Sequence, residues 1–289
     1  MKSAARDRTA SIPVHRMSLV RPFAQFLSDV GAPVELAFRR AGLPFQARDD
    51  VDIFVPSHRF WQFLFNTAHG QGIEELGFRV GQSHATDCID PKLLSLLHRS
   101  PSLYIGLLKA IEISNKITSH MRLYLWQPVD SGYTYFHFKP SCSRNNPVIE
   151  HISWFGLTIM ISMVRVFTGP NWQPAEIGLM TQRPPVRYIR EQLHGTPVRF
   201  SQRYNYIALQ NTLLSLPPLS PETGALPFSP LQNISAEHDF IGSIKQVLRA
   251  YIMEPDLNIE FTAGLCETSK RSLQRRLEAL GTSYHEVLD

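Results

Sequence analysis

The segment ETSKRSLQRRLEALGTSYHEVLD, Glu267 to Asp289, decides how this chain is read. Ser269 is placed as an N-cap, a hydroxyl able to accept from the orphan amides of a first helical turn. Stepping about 100° per residue from Leu273 brings Leu277 and Leu280 within about 40° of it and sends Arg271, Gln274, Arg275 and Glu278 to the far side. The spacing therefore predicts a short helix with a leucine stripe and an Arg/Gln face, ended by Gly281, which tolerates the left-handed conformation after a helix. Arg and Gln carry the paired donors and acceptors that fit guanine and adenine edges in the major groove. Lys270 and Arg276 lie nearer the apolar stripe, where they suit phosphates. Upstream, Ile259, Ala263 and Cys266 follow a helical period, so Ile259–Cys266 and the leucine-striped helix form two short helices around a tight turn. Such a pair is a helix-turn-helix arrangement with the second helix as the reading element. The competing interpretation is an amphipathic surface helix with solvated arginines, and periodicity alone leaves both open.

The string SKRSLQRRLEALGTSYHEVLD resembles the first helix-turn-helix of AraC-type transcription regulators, whose pattern runs Ser, any, Arg, Ser or Thr, Leu, Gln, Arg, any, Leu, then Gly-Thr-Ser-Tyr. The resemblance implies that Arg271, Gln274 and Arg275 read bases, the same face the helical wheel exposes. Ala263 matches the small residue that allows close helix packing. Two positions depart from the pattern: Glu267 stands where the family often has a turn glycine, and Thr268 where it usually has an apolar residue. The resemblance also implies a second helix-turn-helix after a linker helix, of which TSYHEVLD would be the start; the DNA-binding domain is expected to be truncated here. Residues 231–289 carry a net charge of −3 against +7 for residues 1–230. Phosphate contacts supply much of the affinity of a DNA binder, so this segment by itself is expected to bind poorly.

Outward from the segment, 215–230 (SLPPLSPETGALPFSP) holds five prolines in sixteen residues, which excludes regular structure and predicts a linker. The domains expected are 17–214, an effector-binding and dimerisation domain; 215–233, the linker; and 234–289, the first helix-turn-helix of the DNA-binding part. His238–Met253 has a strong helical period, with apolar positions at Phe240, Ile241, Ile244, Val247, Leu248, Tyr251 and Ile252. In the larger part helices are expected at Leu19–Ser28, Val34–Ala41, Ser57–His69, Glu74–Val80, Pro101–Ser114 and Pro147–Phe167, the last apolar nearly all round and hence central. Strands are expected at Met121–Gln127 and Tyr133–Lys139, joined at Asp130-Ser131-Gly132, and at Glu176–Met180, Val198–Ser201 and Tyr206–Leu209. The fold class is α+β, a mostly helical N-terminal sensor domain with a small β-sheet followed by an all-α part.

Residues 19–219 also resemble the arabinose-binding-like N-terminal domain of one group of AraC-type regulators, related to those of ornithine and arginine utilisation. AGLP at Ala41–Pro44, RSPSLYIGL at Arg99–Leu107 and GTPVRF at Gly195–Phe200 followed by Asn205 carry it. It implies an α+β sensor domain for a small-molecule effector; with the helix-turn-helix resemblance, operator DNA is the expected partner of the full-length form and a homodimer the expected assembly, in the cytoplasm.

The ligand-binding candidates are Tyr124, Trp126, Tyr133, Tyr135, His137, Trp154 and Arg165, with His120 and His151 nearby. Rings with polar tips combine apolar burial with orientation, though ordinary core and edge aromatics have the same composition. Strand alternation puts Tyr133, Tyr135 and His137 on one face and Thr134, Phe136 and Phe138 on the other. Arg165, Arg122 and Arg187 are each able to hold a carboxylate by a bidentate fork.

Composition is that of an ordinary globular protein, 43% hydrophobic and 19% charged. The N-terminus lacks the apolar core of a signal peptide, and Ser153, Ser162 and Arg165 interrupt the apolar run at Ile152–Phe167, so no membrane span is expected. Cys88, Cys142 and Cys266 are odd in number and dispersed, which predicts reduced thiols. The histidines show no HxxxH, HxH or HExxH spacing, no phosphate-binding glycine loop is present, and no GxSxG elbow occurs. Neither a metal, a cofactor nor catalysis is expected. A second reading is a ligand-binding and dimerising module that, in this truncated form, binds no DNA.

Overall fold

A computed structural model describes residues 11–50, 53–84, 89–117, 121–140, 142–222 and 239–288. The helices are α1 (Met17–Asp29), α2 (Val34–Ala41), α3 (Ser57–Gln71), α4 (Leu76–His84), α5 (Pro91–His98), α6 (Leu103–Ile117), α7 (Ile149–Thr168), α8 (Arg187–Gln192), α9 (Phe240–Ala250), α10 (Ile259–Leu265), α11 (Lys270–Ala279) and α12 (Tyr284–Leu288). The strands are β1 (Val14–Arg16), β2 (Phe54–Pro56), β3 (Met121–Trp126), β4 (Tyr133–Pro140), β5 (Glu176–Gly178), β6 (Val198–Arg199) and β7 (Asn205–Gln210). The class is α+β, and the expected helices and strands are present with ends moved by a few residues. Expected positions His120, Cys88 and 223–238 lie outside the described residues.

Contacts divide the chain into two compact units. The first joins the described residues up to Asn66 with 239–288. Its core is aromatic and aliphatic: Met17, Phe23, Phe38, Phe60 and Phe63 from the opening segment, Phe240, Ile244, Val247 and Tyr251 from α9, and Leu265, Leu273 and Leu277 from α10 and α11. Two long-range hydrogen bonds stitch it, Ile12 N to Ser243 Oγ at 3.0 Å and Tyr251 Oη to the Gly42 carbonyl at 2.9 Å. The sequence reading placed 17–66 with the sensor alone; packing groups it with the last four helices.

The second unit contains Thr67–Ile117 and Met121–Glu222 among the described residues. Its five-stranded sheet runs β3-β4-β7-β5-β6, antiparallel except for the parallel β5–β6 pair. One face, with Leu123, Phe136, Phe138, Ile177, Ile207 and Leu209, packs on α7, whose Trp154, Leu157, Met160, Ile161, Val164 and Phe167 fill the core. α7 is long and apolar enough to cross a membrane, more so than its sequence implied, yet over half of its apolar window is buried inside the unit. The proline-rich stretch has no helix or strand through Glu222, as expected, but its described part is tied down. Leu103 N donates to the Leu216 carbonyl at 2.8 Å, Leu219 N to the Val166 carbonyl at 3.0 Å, and Ser95 Oγ to Glu222 Oε2 at 2.6 Å.

α4 meets α7 almost backbone to backbone. A Cβ built on Gly77 would lie 2.1 Å from the His151 carbonyl oxygen, and one on Gly81 would lie 1.7 Å from Thr158 Oγ1. Beside this crossing the His151 ring is largely enclosed, and among the described residues its Nδ1 has no hydrogen-bond partner. Burial pushes its pKa down to about 4, against a smaller upward pull from Glu75. The unfolded chain thus takes up this proton near pH 6.5, whereas the folded chain takes it up only near pH 4. Stability is expected to be full above that window and to fall as pH drops through it, by about 3 kcal/mol at most for this group. Urea titrations of wild type and His151→Gln between pH 7 and 4 check this: the variant should lose that part of the slope, and parallel curves would remove His151 as its source.

Candidate functional site

The first candidate site is built by α10, the four residues after it, and α11. Asn258 caps α10, its Oδ1 accepting from Phe261 N at 2.9 Å. Ser269 caps α11 as its hydroxyl chemistry predicts, accepting from Ser272 N at 3.2 Å. Leu273 and Leu277 are buried, Leu280 is half-buried, and Arg271, Gln274, Arg275 and Glu278 are exposed. Gly281 follows the helix in the left-handed conformation at φ 76°. Thr268 N closes the turn onto the Ala263 carbonyl at 3.0 Å.

The two expected phosphate contacts sit differently from the three base readers. Lys270 Nζ pairs with Glu260 Oε1 at 2.5 Å, and the Arg276 guanidinium lies 3.5 Å from the centre of the Phe240 ring. Both are thus engaged within the first unit, whereas Arg271, Gln274 and Arg275 present their side chains to solvent. Cys266, beside the turn, is half-buried; burial pushes its thiol up to about 12, with Arg276 opposing. It is a packing residue at neutral pH.

Glu267 takes up φ 51°, the left-handed region that glycine occupies without strain. The departure noted in the sequence therefore coincides with a strained residue. Its side chain, largely exposed, reaches His58 at 3.7 Å, an interaction of little energetic consequence at the surface. Glu267→Gly is expected to stabilise the protein by about 0.5–1 kcal/mol, relief of the left-handed strain exceeding the added chain entropy. Glu267→Ala keeps the strain and should gain nothing. Chemical denaturation of both variants separates strain from the loss of the carboxylate.

The aromatic candidates occupy the sheet face opposite the core. Register places Tyr124 opposite His137 and Trp126 opposite Tyr135. The Tyr124 and His137 rings stack at 4.7 Å, and Trp126 and Tyr135 meet at 5.5 Å. Thr134, Phe136 and Phe138 point the other way and are buried, as alternation requires. Tyr204 and Tyr206, which the sequence reading left out, complete the cluster: Tyr206 packs 5.3 Å from Tyr135 and Tyr204 packs 5.6 Å from Tyr124. Tyr206 Oη donates to Glu176 Oε1 at 2.6 Å and Arg199 Nε to Glu176 Oε2 at 2.8 Å. Burial works to raise the Glu176 pKa, but the Tyr206 and Arg199 donors prevail and hold it below the usual carboxylate range. Burial lowers the His137 imidazole, opposed by the Tyr135 carbonyl, and pushes the Tyr124 phenol up to about 12. The patch is thus a set of neutral rings beside a fixed Glu–Arg pair. Trp126 and Tyr133 are its exposed members, at 54% and 39%.

Trp154 and Arg165 do not belong to that face. Trp154 is buried in the core, edge-on to Phe78 at 5.5 Å. Its apolar helix puts it on the α7 side of the sheet, away from the hairpin rings. Arg165 lines a separate cleft of about 420 Å³ formed by α4, α7, the 170–173 segment and the end of α8. Arg122 donates to the Asn115 carbonyl at 3.0 Å, and Arg187 pairs with Glu191 at 2.7 Å, both at the surface. Among the described residues no group of three or more His, Cys, Asp or Glu side chains is placed to hold a metal ion.

Residues 31–218 match the family described as the arabinose-binding domain of AraC transcription regulators, N-terminal. None of the curated proteins compared with the chain matches it. Among solved structures, the fold is similar to that of transcriptional regulator CdpR from Pseudomonas aeruginosa, with a TM-score of 0.52 and 15% identity over 93% of this chain and 81% of that one. Family and fold are those of transcription regulators rather than enzymes. The family match spans well over half of the sequence, and the chain therefore belongs to the AraC-type transcription regulators that carry this N-terminal domain.

Proposed function

We propose that the protein is an effector-responsive, DNA-binding regulator, which reads operator DNA with α11 and senses a small molecule in its N-terminal domain. The observation that carries the reading is the exposure of Arg271, Gln274 and Arg275 on one side of a capped helix whose other side, Leu273 and Leu277, is anchored in the unit. Those three side chains match the hydrogen-bonding groups of base edges, and the α10–turn–α11 arrangement is one that docks a second helix into the major groove. The functional division of the sequence into 17–214, a linker at 215–233 and a helix-turn-helix at 234–289 belongs to the same proposal. So do its partners: operator duplex, a small-molecule effector and a second copy of the chain, in the cytoplasm. Effector and DNA are coupled by population shift, each favouring one conformation of the chain. Linkage then requires the effector to bind DNA-bound and free protein with different affinities; equal affinities would sink the coupling.

The test is a salt-dependent titration against the promoter region beside its own gene and against a scrambled duplex of the same composition. Preference for the promoter, lost when Arg271, Gln274 and Arg275 are all alanine, is the expected result. The net charge of −3 over residues 231–289 favours the second reading, a ligand-binding and dimerising module without operator affinity. Equal binding of both duplexes by the wild-type chain at every salt concentration would establish that one instead.

A further inference from the structure

We infer that the cleft around Arg165 is the effector site and that its ligand is a small organic carboxylate. The inference deepens the sensing half of the proposed function and rests on that reading. The cleft lies within the second unit, and at about 420 Å³ its volume is in the range of small-molecule sites. Its lining is one-sided in charge. Arg165 supplies a guanidinium, His194, Gln82, Gln192 and Ser162 supply polar groups, and no Asp or Glu is among the lining residues. Phe78, Ile161 and Leu193 provide the apolar wall against which a carbon skeleton would rest.

Arg165 itself is held in place and left uncompensated. Its Nε donates to the Trp172 carbonyl at 3.0 Å, which fixes the plane of the guanidinium and leaves the two Nη groups as donors for a planar anion. Among the described residues no carboxylate pairs with it, and burial alone is what lowers its pKa. A half-buried cation without a counterion carries a desolvation cost that an arriving anion offsets, so the site discriminates charge before shape. On the aromatic sheet face Arg199 is already paired with Glu176, and Arg203 lies over the Tyr204 ring, 5.2 Å from its centre.

The test uses the full chain with benzoate, glutarate and hexanoate, each beside its neutral amide, and with inorganic phosphate, by calorimetry. At least one carboxylate should bind saturably, with its amide and phosphate weaker. Arg165→Gln should weaken that carboxylate about 10- to 100-fold, the loss of a bidentate charge-assisted contact. Ser162→Asp keeps the arginine and supplies an internal carboxylate one turn away, so it should block binding even if Arg165→Gln proves too unstable to assay. Carboxylate binding undiminished in either variant, or phosphate and amide bound as well as the carboxylate, would overturn the assignment. Promoter titrations with and without the bound carboxylate separate the two layers: a carboxylate that occupies the Arg165 cleft and leaves DNA affinity unchanged upholds the site and refutes the sensing function.

Discussion

Replacing Gly77 by alanine is expected to destabilise the second unit by about 3 kcal/mol, although helix propensity alone predicts a gain of about 1 kcal/mol. The sign follows from what the new methyl group meets. At Gly77 it would sit 2.1 Å from the backbone oxygen of His151, and a backbone carbonyl inside a helix cannot rotate aside. The α4–α7 crossing would have to open, and the apolar contacts of Phe78 and Trp154 would open with it. Gly81→Ala should cost less, about 1–2 kcal/mol. There the obstacle is the Thr158 side chain at 1.7 Å, which can turn if it gives up its 2.7 Å hydrogen bond to the Phe155 carbonyl. Gly70, near the end of α3, has nothing within 4 Å of its Cβ position. Gly70→Ala should therefore show the propensity gain in isolation, about 0.5–1 kcal/mol. Urea unfolding of the three variants decides the matter: the same sign at Gly70 and Gly77 would mean that the crossing is not tight.

The spacing of glycines in α4 shows what a linear reading can and cannot deliver. Its helix was legible, but the reason for two glycines four residues apart lies in α7, some seventy residues later, and no local pattern states it. The same holds for β1 and β2: three residues each, with no alternation to detect, paired antiparallel across forty residues. α5 is a different case, since its start signal is local. Asp90 followed by Pro91 is a capping residue before a first-turn proline, and Asp90 Oδ1 does accept from Lys92 N at 2.8 Å. Where a helical pattern is marked more follows: Val34–Ala41 has the expected ends, and the leucine stripe of α11 places Leu273 and Leu277 in the core.

The candidate sites divide along the same line. Alternation within the hairpin correctly separated Tyr135 and His137 from Phe136 and Phe138, because a period of two needs no partner. It was silent on Tyr204 and Tyr206, which reach the hairpin rings only because β7 pairs with β4. Proximity in sequence to that hairpin also drew in Trp154, whose place on a buried helix puts it on the opposite side of the sheet. Arg165 was selected for its chemistry alone; its cleft is assembled from α4, α7 and α8, which only the tertiary structure brings together.

Substituting Arg271, Gln274 and Arg275 together by alanine is expected to bring promoter binding down to the level of a scrambled duplex, a loss of about 10³-fold or more. Each base-edge contact of this type discriminates by about 1–3 kcal/mol, so three of them supply most of a specific site's margin over nonspecific DNA. All three side chains are exposed, and Leu273 and Leu277 hold the helix from behind, so the folded state should survive the change with its melting temperature within a few degrees. Lys270→Ala removes a cation already paired with Glu260 at 2.5 Å. If it meets a phosphate, it must leave that partner first, and its loss should lower the salt slope by about one without altering base preference. Arg276→Ala should act on stability instead, by about 1 kcal/mol, because its guanidinium lies on the Phe240 ring. The five residues thus separate into three by measurement: preference, salt slope and unfolding. A triple variant that still favours the promoter would mean that α11 does not read the sequence, and the arginine face would then be a solvated surface on a protein that recognises DNA elsewhere.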